Sequence, residues 1–370
     1  MPPIVDLIAG ARPNFMKIAP IIAALRAARG RGVSLDYRLV HTGQHYDRNM
    51  SGRFFEELGI PEPDVNLEVG SGSAAEQTAA IMIRYEKVLL ERRSQLCLVV
   101  GDVTSTMACA IVAQKLGVPV AHVEGGLRSG DWTMPEEINR MVTDAISNWF
   151  FTTSETANQL LRASGVTPDR IFFVGNTMID TLNQQQAKTT IPAVWGQAGL
   201  VAGRYFVLTL HRPANVDDAA KLRALLTAVA DGARGEAVVF PAHPRTAKML
   251  PQLDLGPGRL LVTEPLGYHD FSYLLRHARA VITDSGGVTE ETTVLGVPCL
   301  TLRDNTERPE TVTLGTNELV GTDPARLAPH FERLFAGAWK RGGVPPLWDG
   351  RAGERIVGHL ATLLRRPEST

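Results

Sequence analysis

Short runs of β-branched and aromatic residues recur along this chain, each followed by a turn and then by a stretch with helical periodicity. They read IVDLIAG, YRLVHTG, LCLVVGD, VPVAHVE, NWFFTTS and RIFFVGN, then YFVLTLH, AVVFPAH, RLLVTEP, AVITDSG and PCLTLRD. Apolar strands separated by helices build parallel sheets covered on both faces. The pattern runs twice, so the sequence predicts an α/β fold with two doubly wound domains. At 370 residues the chain also exceeds what one core comfortably serves. The seam is expected within residues 165–186, where GVTPDR precedes a strand and GNTMIDTLNQQQ leads away from it. That reading assigns 1–168 to the first domain and 169–350 to the second. The stretch 351–366 reads as an amphipathic helix, with Ile356, Leu360 and Leu363 on one side.

Composition narrows the partners. A formal net charge of −1 gives no electrostatic case for nucleic acid or for an anionic membrane surface. No apolar run is long enough to span a bilayer, and MPPIVDLIAG lacks the basic segment and cleavage site of a secretory signal. Cys97, Cys109 and Cys299 sit in apolar surroundings, which fits a reducing compartment and argues against a disulfide framework. A cytoplasmic enzyme is the expectation.

Nearly every strand ends in a residue that can do chemistry: Arg12, Gln44, Asp102, Glu124, His211, His243, Asp284 and Arg303. Ligands of open α/β sheets bind beyond the carboxyl ends of the strands. In TDSGGVTEE, two glycines stand where a buried strand turns into a helix. A helix N-terminus offers unpaired N–H groups and partial positive charge, and glycines let a phosphate approach; a plain strand–turn–helix connection is the alternative. GARPNFMKIAP sets Arg12 and Lys17 near another helix start. No G-x-G-x-x-G follows the first strand, as a nicotinamide enzyme would require, and GSGSAA lacks the third glycine.

Asp102 in VVGDVTSTMA has three hydroxyl residues beside it, and could equally be a helix cap. Glu136 and Glu137 in MPEEINR suit a first helical turn. Glu124, between a hydrophobic strand and two glycines, caps nothing obvious. Carboxylates gathered in one site drive their pKa values apart and suit acid–base chemistry. His41 and His45 straddle a turn, and no metal-ligand spacing or G-x-S-x-G elbow is present.

Taken in order, GARPNFMKIAP, HTGQHYD, GDVTSTMA, HVEGGLRSGD, PEEINR, GNTMID, TLHRPAN, TDSGGVTEE and RDNTERPE resemble the non-hydrolysing UDP-N-acetylglucosamine 2-epimerases, from about residue 4 to residue 323. The resemblance implies a glycosyltransferase-B-like fold, two Rossmann-like domains facing across a cleft, with the C-terminal helix packing back on the first. It implies a homodimer formed through the N-terminal domain, a UDP-sugar substrate, and neither nicotinamide nor an obligatory metal. It implies Asp102, Glu124, Glu136 and His211 as catalytic-site residues. Arg12, His243, Ser285, Gly286, Gly287 and Glu290 would hold UDP, with Lys17 and Arg308 as further contacts. Substrate-regulated bacterial relatives carry arginines that GSGSAAEQ and HRPAN lack, leaving Gln44 and His45 as a remnant of a regulatory site.

Overall fold

In the computed structural model the described residues are 2–43, 55–242, 244–253 and 260–365. Two wholly parallel sheets carry the chain. The first takes β1 (Ile4–Ala9), β2 (Asp36–His41), β3 (Val65–Asn66), β4 (Leu96–Val100), β5 (Val120–Val123), β6 (Trp149–Thr152) and β7 (Ile171–Phe173), in the spatial order β3-β2-β1-β4-β5-β6-β7. The second takes β8 (Tyr205–Thr209), β9 (Ala237–Pro241), β10 (Leu260–Thr263), β11 (Ala280–Thr283), β12 (Cys299–Thr301) and β13 (Asn317–Leu319), ordered β10-β9-β8-β11-β12-β13. The longer helices are α1 (Arg12–Gly30), α2 (Ala74–Glu91), α3 (Thr104–Lys115), α4 (Pro135–Ile146), α5 (Glu155–Ala163), α6 (Thr177–Gln185), α7 (Ala219–Gly232), α8 (Tyr268–His277), α9 (Gly286–Leu295), α10 (Leu327–Phe335) and α11 (Ala352–Leu363). Both sheets are Rossmann-like and doubly wound, so the fold is of the glycosyltransferase-B-like class.

The chemistry of the strands explains their place. Every residue of β4 and of β11 is buried, as a central strand covered on both faces requires. In the second sheet Phe206, Leu208, Val238, Phe240 and Ile282 meet Leu226 and Val229 of α7 and Phe331 of α10. Each such side chain contributes about 1.5–3 kcal/mol by leaving water. Strand order reverses between β1 and β4 in the first sheet and between β8 and β11 in the second. The loops that follow these strands therefore diverge and open a crevice, the usual ligand position in such sheets.

The chain divides into one unit of Met1–Gln184 with Pro346–Thr370 and another of Gln185–Pro345. The division at 184/185 thus falls inside the expected stretch 165–186, later than the 168/169 boundary drawn within it. The GVTPDR turn lies inside the first unit, because β7 pairs with β6 as that sheet's last strand. The return also begins earlier than 351: Trp348 is buried and its Nε1 donates to the Thr153 carbonyl at 2.9 Å.

Within the first unit α11 packs on α1. Pro20 sits inside α1 and cannot donate to the Met16 carbonyl; Thr181 Oγ1 of α6 donates to it instead, at 2.5 Å. Gly353 lies where a Cβ would come within 2.7 Å of the Pro20 carbonyl oxygen, so only glycine lets the helices approach. Asp180 of α6 accepts from the backbone N–H groups of Ala352 and Gly353 at 3.0 and 2.7 Å, capping α11. Among the described residues no helix is long and apolar enough to cross a membrane.

Candidate functional site

In the first unit the crevice between β1 and β4 gathers an ion pair. α1 begins at Arg12, and Lys17, a turn and a half on, points its Nζ at Glu124 Oε2, 2.6 Å away. Both side chains are buried, at 8% and 2% exposure. Glu124 keeps its N–H in the sheet, donating to the Phe151 carbonyl, and then turns into the left-handed region at φ 68. For a residue with a Cβ this costs roughly 1–2 kcal/mol. Strain of this kind clusters at functional positions, where it aims a side chain. Gly101, at φ +68, completes the seat: a Cβ there would lie 3.1 Å from Lys17 Nζ. The two glycines after Glu124 serve packing. A Cβ on Gly125 would strike the Phe150 ring at 2.8 Å, and one on Gly126 the Ala157 carbonyl oxygen at 2.6 Å.

Asp102 follows Gly101, and its side chain remains about a quarter exposed, at 26%. Its carbonyl accepts from Asn139 Nδ2 of α4 at 2.8 Å. The two glutamates of PEEINR divide. Glu136 is exposed in the first turn of α4, whereas Glu137 is buried and accepts from Ser129 N, Ser129 Oγ, Gly130 N and Arg140 Nη1, at 2.7–3.0 Å. Deeper on α4, Asp144 takes His122 Nδ1 at 2.7 Å, Gly126 N at 3.0 Å and Arg128 Nη1 at 2.6 Å. Burial opposes charge on Asp144, yet His122 and Arg128 outweigh it and hold the carboxyl below its ordinary value. His122 Nε2 in turn meets the Gly101 carbonyl at 2.8 Å.

In the second unit the crevice between β8 and β11 is organised by Asp284, fully buried at the end of β11. It accepts from the backbone N–H groups of His211 and Arg212 and from Asn215 Nδ2, and lies 2.7 Å from His211 Nδ1. Burial again opposes its charge, and these partners, His211 first, keep its carboxyl low. The His211 ring is therefore oriented while more than half of its side chain stays exposed. Ser285 precedes α9; its N–H donates to Thr283 Oγ1 and its hydroxyl does not cap the helix. The N–H groups of Gly286 and Gly287 open a helix N-terminus suited to an anion.

The loop after β12 closes around that terminus. Arg308 pairs with Glu290 through Nε and with Glu307 through Nη1, and Arg303 Nη2 donates to Glu307 at 2.6 Å. A Cβ on Gly286 would lie 3.0 Å from both Arg308 Nη1 and Glu307 Oε1, so the guanidinium sits directly at the helix start. Glu291, one residue on, accepts from the Tyr268 hydroxyl at 3.2 Å, and burial raises its carboxyl to about 8. Burial likewise raises Glu310 to about 7, since no donor of another residue reaches it among the described residues.

The structure thus brings Lys17, Asp102 and Glu124 into the first crevice, and His211, Ser285, Gly286, Gly287, Glu290 and Arg308 around the second. Glu136 stands at the start of α4 facing solvent. His243, Gln44 and His45 lie outside the described residues. Of the organising groups, the sequence offers Asp284 as a strand-end residue and Glu137 as a first-turn glutamate, while Arg140, Asp144 and Glu291 are not marked by it. For α4 the available signal was spacing, since residues 137, 140 and 144 share one helical face. Among the described residues no group of three His, Cys, Asp or Glu side chains is placed to hold a metal ion.

The family model described as UDP-N-acetylglucosamine 2-epimerase matches residues 27–361. A UDP-N-acetylglucosamine 2-epimerase of Methanocaldococcus jannaschii is 41% identical over 363 residues, covering 95% of this chain and 97% of its own. A UDP-2,3-diacetamido-2,3-dideoxy-D-glucuronate 2-epimerase of Pseudomonas aeruginosa is 40% identical over 360 residues, covering 96% and 99%. The crystal structure of the Methanocaldococcus jannaschii UDP-GlcNAc 2-epimerase with UDP-GlcNAc and UDP superposes with a TM-score of 0.87 at 42% identity, covering 97% of this chain and 99% of that one.

Proposed function

Because the chain belongs to the UDP-N-acetylglucosamine 2-epimerase family, we propose that it is an isomerase that interconverts UDP-GlcNAc and UDP-ManNAc. The observation that carries the reading is the strained, buried Glu124 fixed against Lys17 beside Asp102. The C2 proton of such a sugar is not acidic. Breaking the C1–O bond expels UDP and develops positive charge at C1, which makes the C2 proton removable; its electron pair forms the C1=C2 bond of a 2-acetamidoglucal. A proton then returns to the opposite face of C2 and UDP re-adds to C1. This sequence needs acid–base groups at the sugar and firm retention of UDP.

Asp102, Glu124 and Glu136 are the proposed acid–base carboxylates of the first unit, with Lys17 paired to Glu124 and Arg12 a proposed UDP contact. In the second unit Ser285, Gly286 and Gly287 would take the diphosphate at the start of α9, with Arg308 compensating its charge. Glu290, one turn in, is proposed for the ribose; His243 is a further UDP contact and His211 an additional catalytic-site residue. The three buried free thiols accord with a reducing, cytoplasmic setting. A homodimer belongs to the same proposal, and sedimentation velocity checks it.

Proton NMR of UDP-GlcNAc incubated with the protein in heavy water tests the reaction. A UDP-ManNAc anomeric signal carrying deuterium at C2 is expected. Free ManNAc plus UDP would instead identify a hydrolysing enzyme, and an unchanged spectrum would reject this substrate. The Pseudomonas aeruginosa relative favours a second reading, in which the same elimination acts on a UDP-diacetamido uronic acid. Running that sugar in parallel separates the two.

A further inference from the structure

The inner face of α4 is charged where a buried helix face is ordinarily apolar. Glu137, Arg140 and Asp144 are all buried on it, together with Asn139 and Thr143. Buried polar groups of this density call for a reason, because each must be matched on removal from water. The matching is unequal. Glu137 is saturated by Ser129, Gly130 and Arg140, and Asp144 by His122, Gly126 and Arg128. Arg140, at 2% exposure, is not saturated. Its Nη1 donates to Glu137 at 2.7 Å, which fixes the plane of the guanidinium. Its Nε then lies 3.2 Å from Asp102 Oδ2, an ion-pair distance at an angle too bent for a hydrogen bond, and finds no other acceptor among the described residues.

We propose that Arg140 is a positioning residue for Asp102, with Glu137 as the anchor that aims it. The inference rests on the reading of Asp102 as an acid–base group. Two contacts from one helix then define that carboxylate: Asn139 fixes its backbone carbonyl, and Arg140 fixes which oxygen faces inward, leaving the other toward substrate. Glu137 in turn ties α4 to Ser129 and Gly130, in the same loop that begins at Glu124. The helix thereby sets the spacing of two proposed acid–base carboxylates.

The test compares Arg140→Lys with the double variant Glu137→Gln/Arg140→Met, which deletes both charges and leaves neither uncompensated. Initial rates with UDP-GlcNAc give kcat and KM, calorimetry gives the UDP affinity, and thermal unfolding reports folding. A displaced carboxylate should lower kcat about a hundredfold in the double variant, the usual consequence of misplacing a reacting group. Arg140→Lys keeps charge and loses the planar fork, so a decrease of about tenfold is expected. KM and UDP affinity should stay within about threefold in both. Millimolar methylguanidinium should restore part of kcat in Arg140→Ala. Well-folded variants with wild-type kcat, or a loss shared equally by kcat and UDP affinity, would overturn the positioning role. A wild-type protein unable to epimerise would overturn the epimerase reading instead. The crystal structure of Arg140→Lys then decides for Arg140: a shifted Asp102 carboxylate supports positioning and an unmoved one refutes it.

Discussion

The Lys17–Glu124 pair predicts a specific pattern of stabilities. The two charges are 2.6 Å apart with 8% and 2% of their side chains exposed, so water screens neither. Lys17→Met removes the ammonium 2.6 Å from the buried Glu124 carboxylate, and Glu124→Gln removes the carboxylate that faces Lys17. Breaking a buried pair from one side destabilises by about 3–5 kcal/mol, whereas removing both charges with side chains of similar volume is close to neutral. The two single variants should therefore sum to at least about 6 kcal/mol, while Lys17→Met/Glu124→Gln changes stability by about 1 kcal/mol or less. Urea denaturation followed by circular dichroism measures all three. The backbone adds a second, independent arm. At φ 68 a glycine is unstrained and an alanine is not, so Glu124→Gly should exceed Glu124→Ala in stability by about 1–2 kcal/mol. The double variant should be folded and inactive, which would separate the function of the pair from its contribution to stability. Either single variant within about 0.5 kcal/mol of wild type, the range of an ordinary surface change, would refute the argument.

Other outcomes follow from the same structure. Burial raises the Glu310 carboxyl from 4.5 to about 7. Between those values the folded chain keeps a proton that the unfolded chain has lost. Stability present at lower pH is therefore lost as pH rises to about 7, by up to about 3 kcal/mol. Glu310→Gln should flatten that slope in urea melts taken from pH 5 to pH 8; an unchanged slope would remove Glu310 as its source. Asp284→Asn places an amide N–H₂ among donors that now find acceptors. It should lower stability by about 1–3 kcal/mol and reduce kcat/KM at least about tenfold through misorientation of His211, measured by calorimetry and initial rates. Gly175 has φ +90, and a Cβ there would lie 2.0 Å from the Leu347 carbonyl oxygen. Gly175→Ala should therefore lose about 3 kcal/mol or more in thermal unfolding.

The parts legible in the sequence were those in which local pattern and tertiary position agree. β4 and β11 are apolar throughout because both faces are covered, so LCLVV and AVIT could be read directly as central strands. The crevices at the strand ends were legible because strand order alone sets where they open. The division at 184/185 lies within the expected stretch 165–186 but at its far end, because GVTPDR looks like a linker by composition, while the pairing of β7 with β6 is a long-range fact with no local signature. α4 shows the deeper reason. Its Glu137, Arg140 and Asp144 are buried, whereas Ile138 in the same helix is 44% exposed and Trp132 just before it 65%. Read by periodicity alone, the charged stripe is a solvated face and the apolar residue points to the core. Inward burial of that stripe becomes tolerable only when each charge meets a fixed partner, and those partners come from the loops after β4 and β5. The inversion is therefore stable only if those loops are held in one arrangement, which is the condition the proposed acid–base chemistry at Asp102 and Glu124 imposes. Where polarity and burial disagree on this helix, the disagreement falls on the residues proposed to position the chemistry.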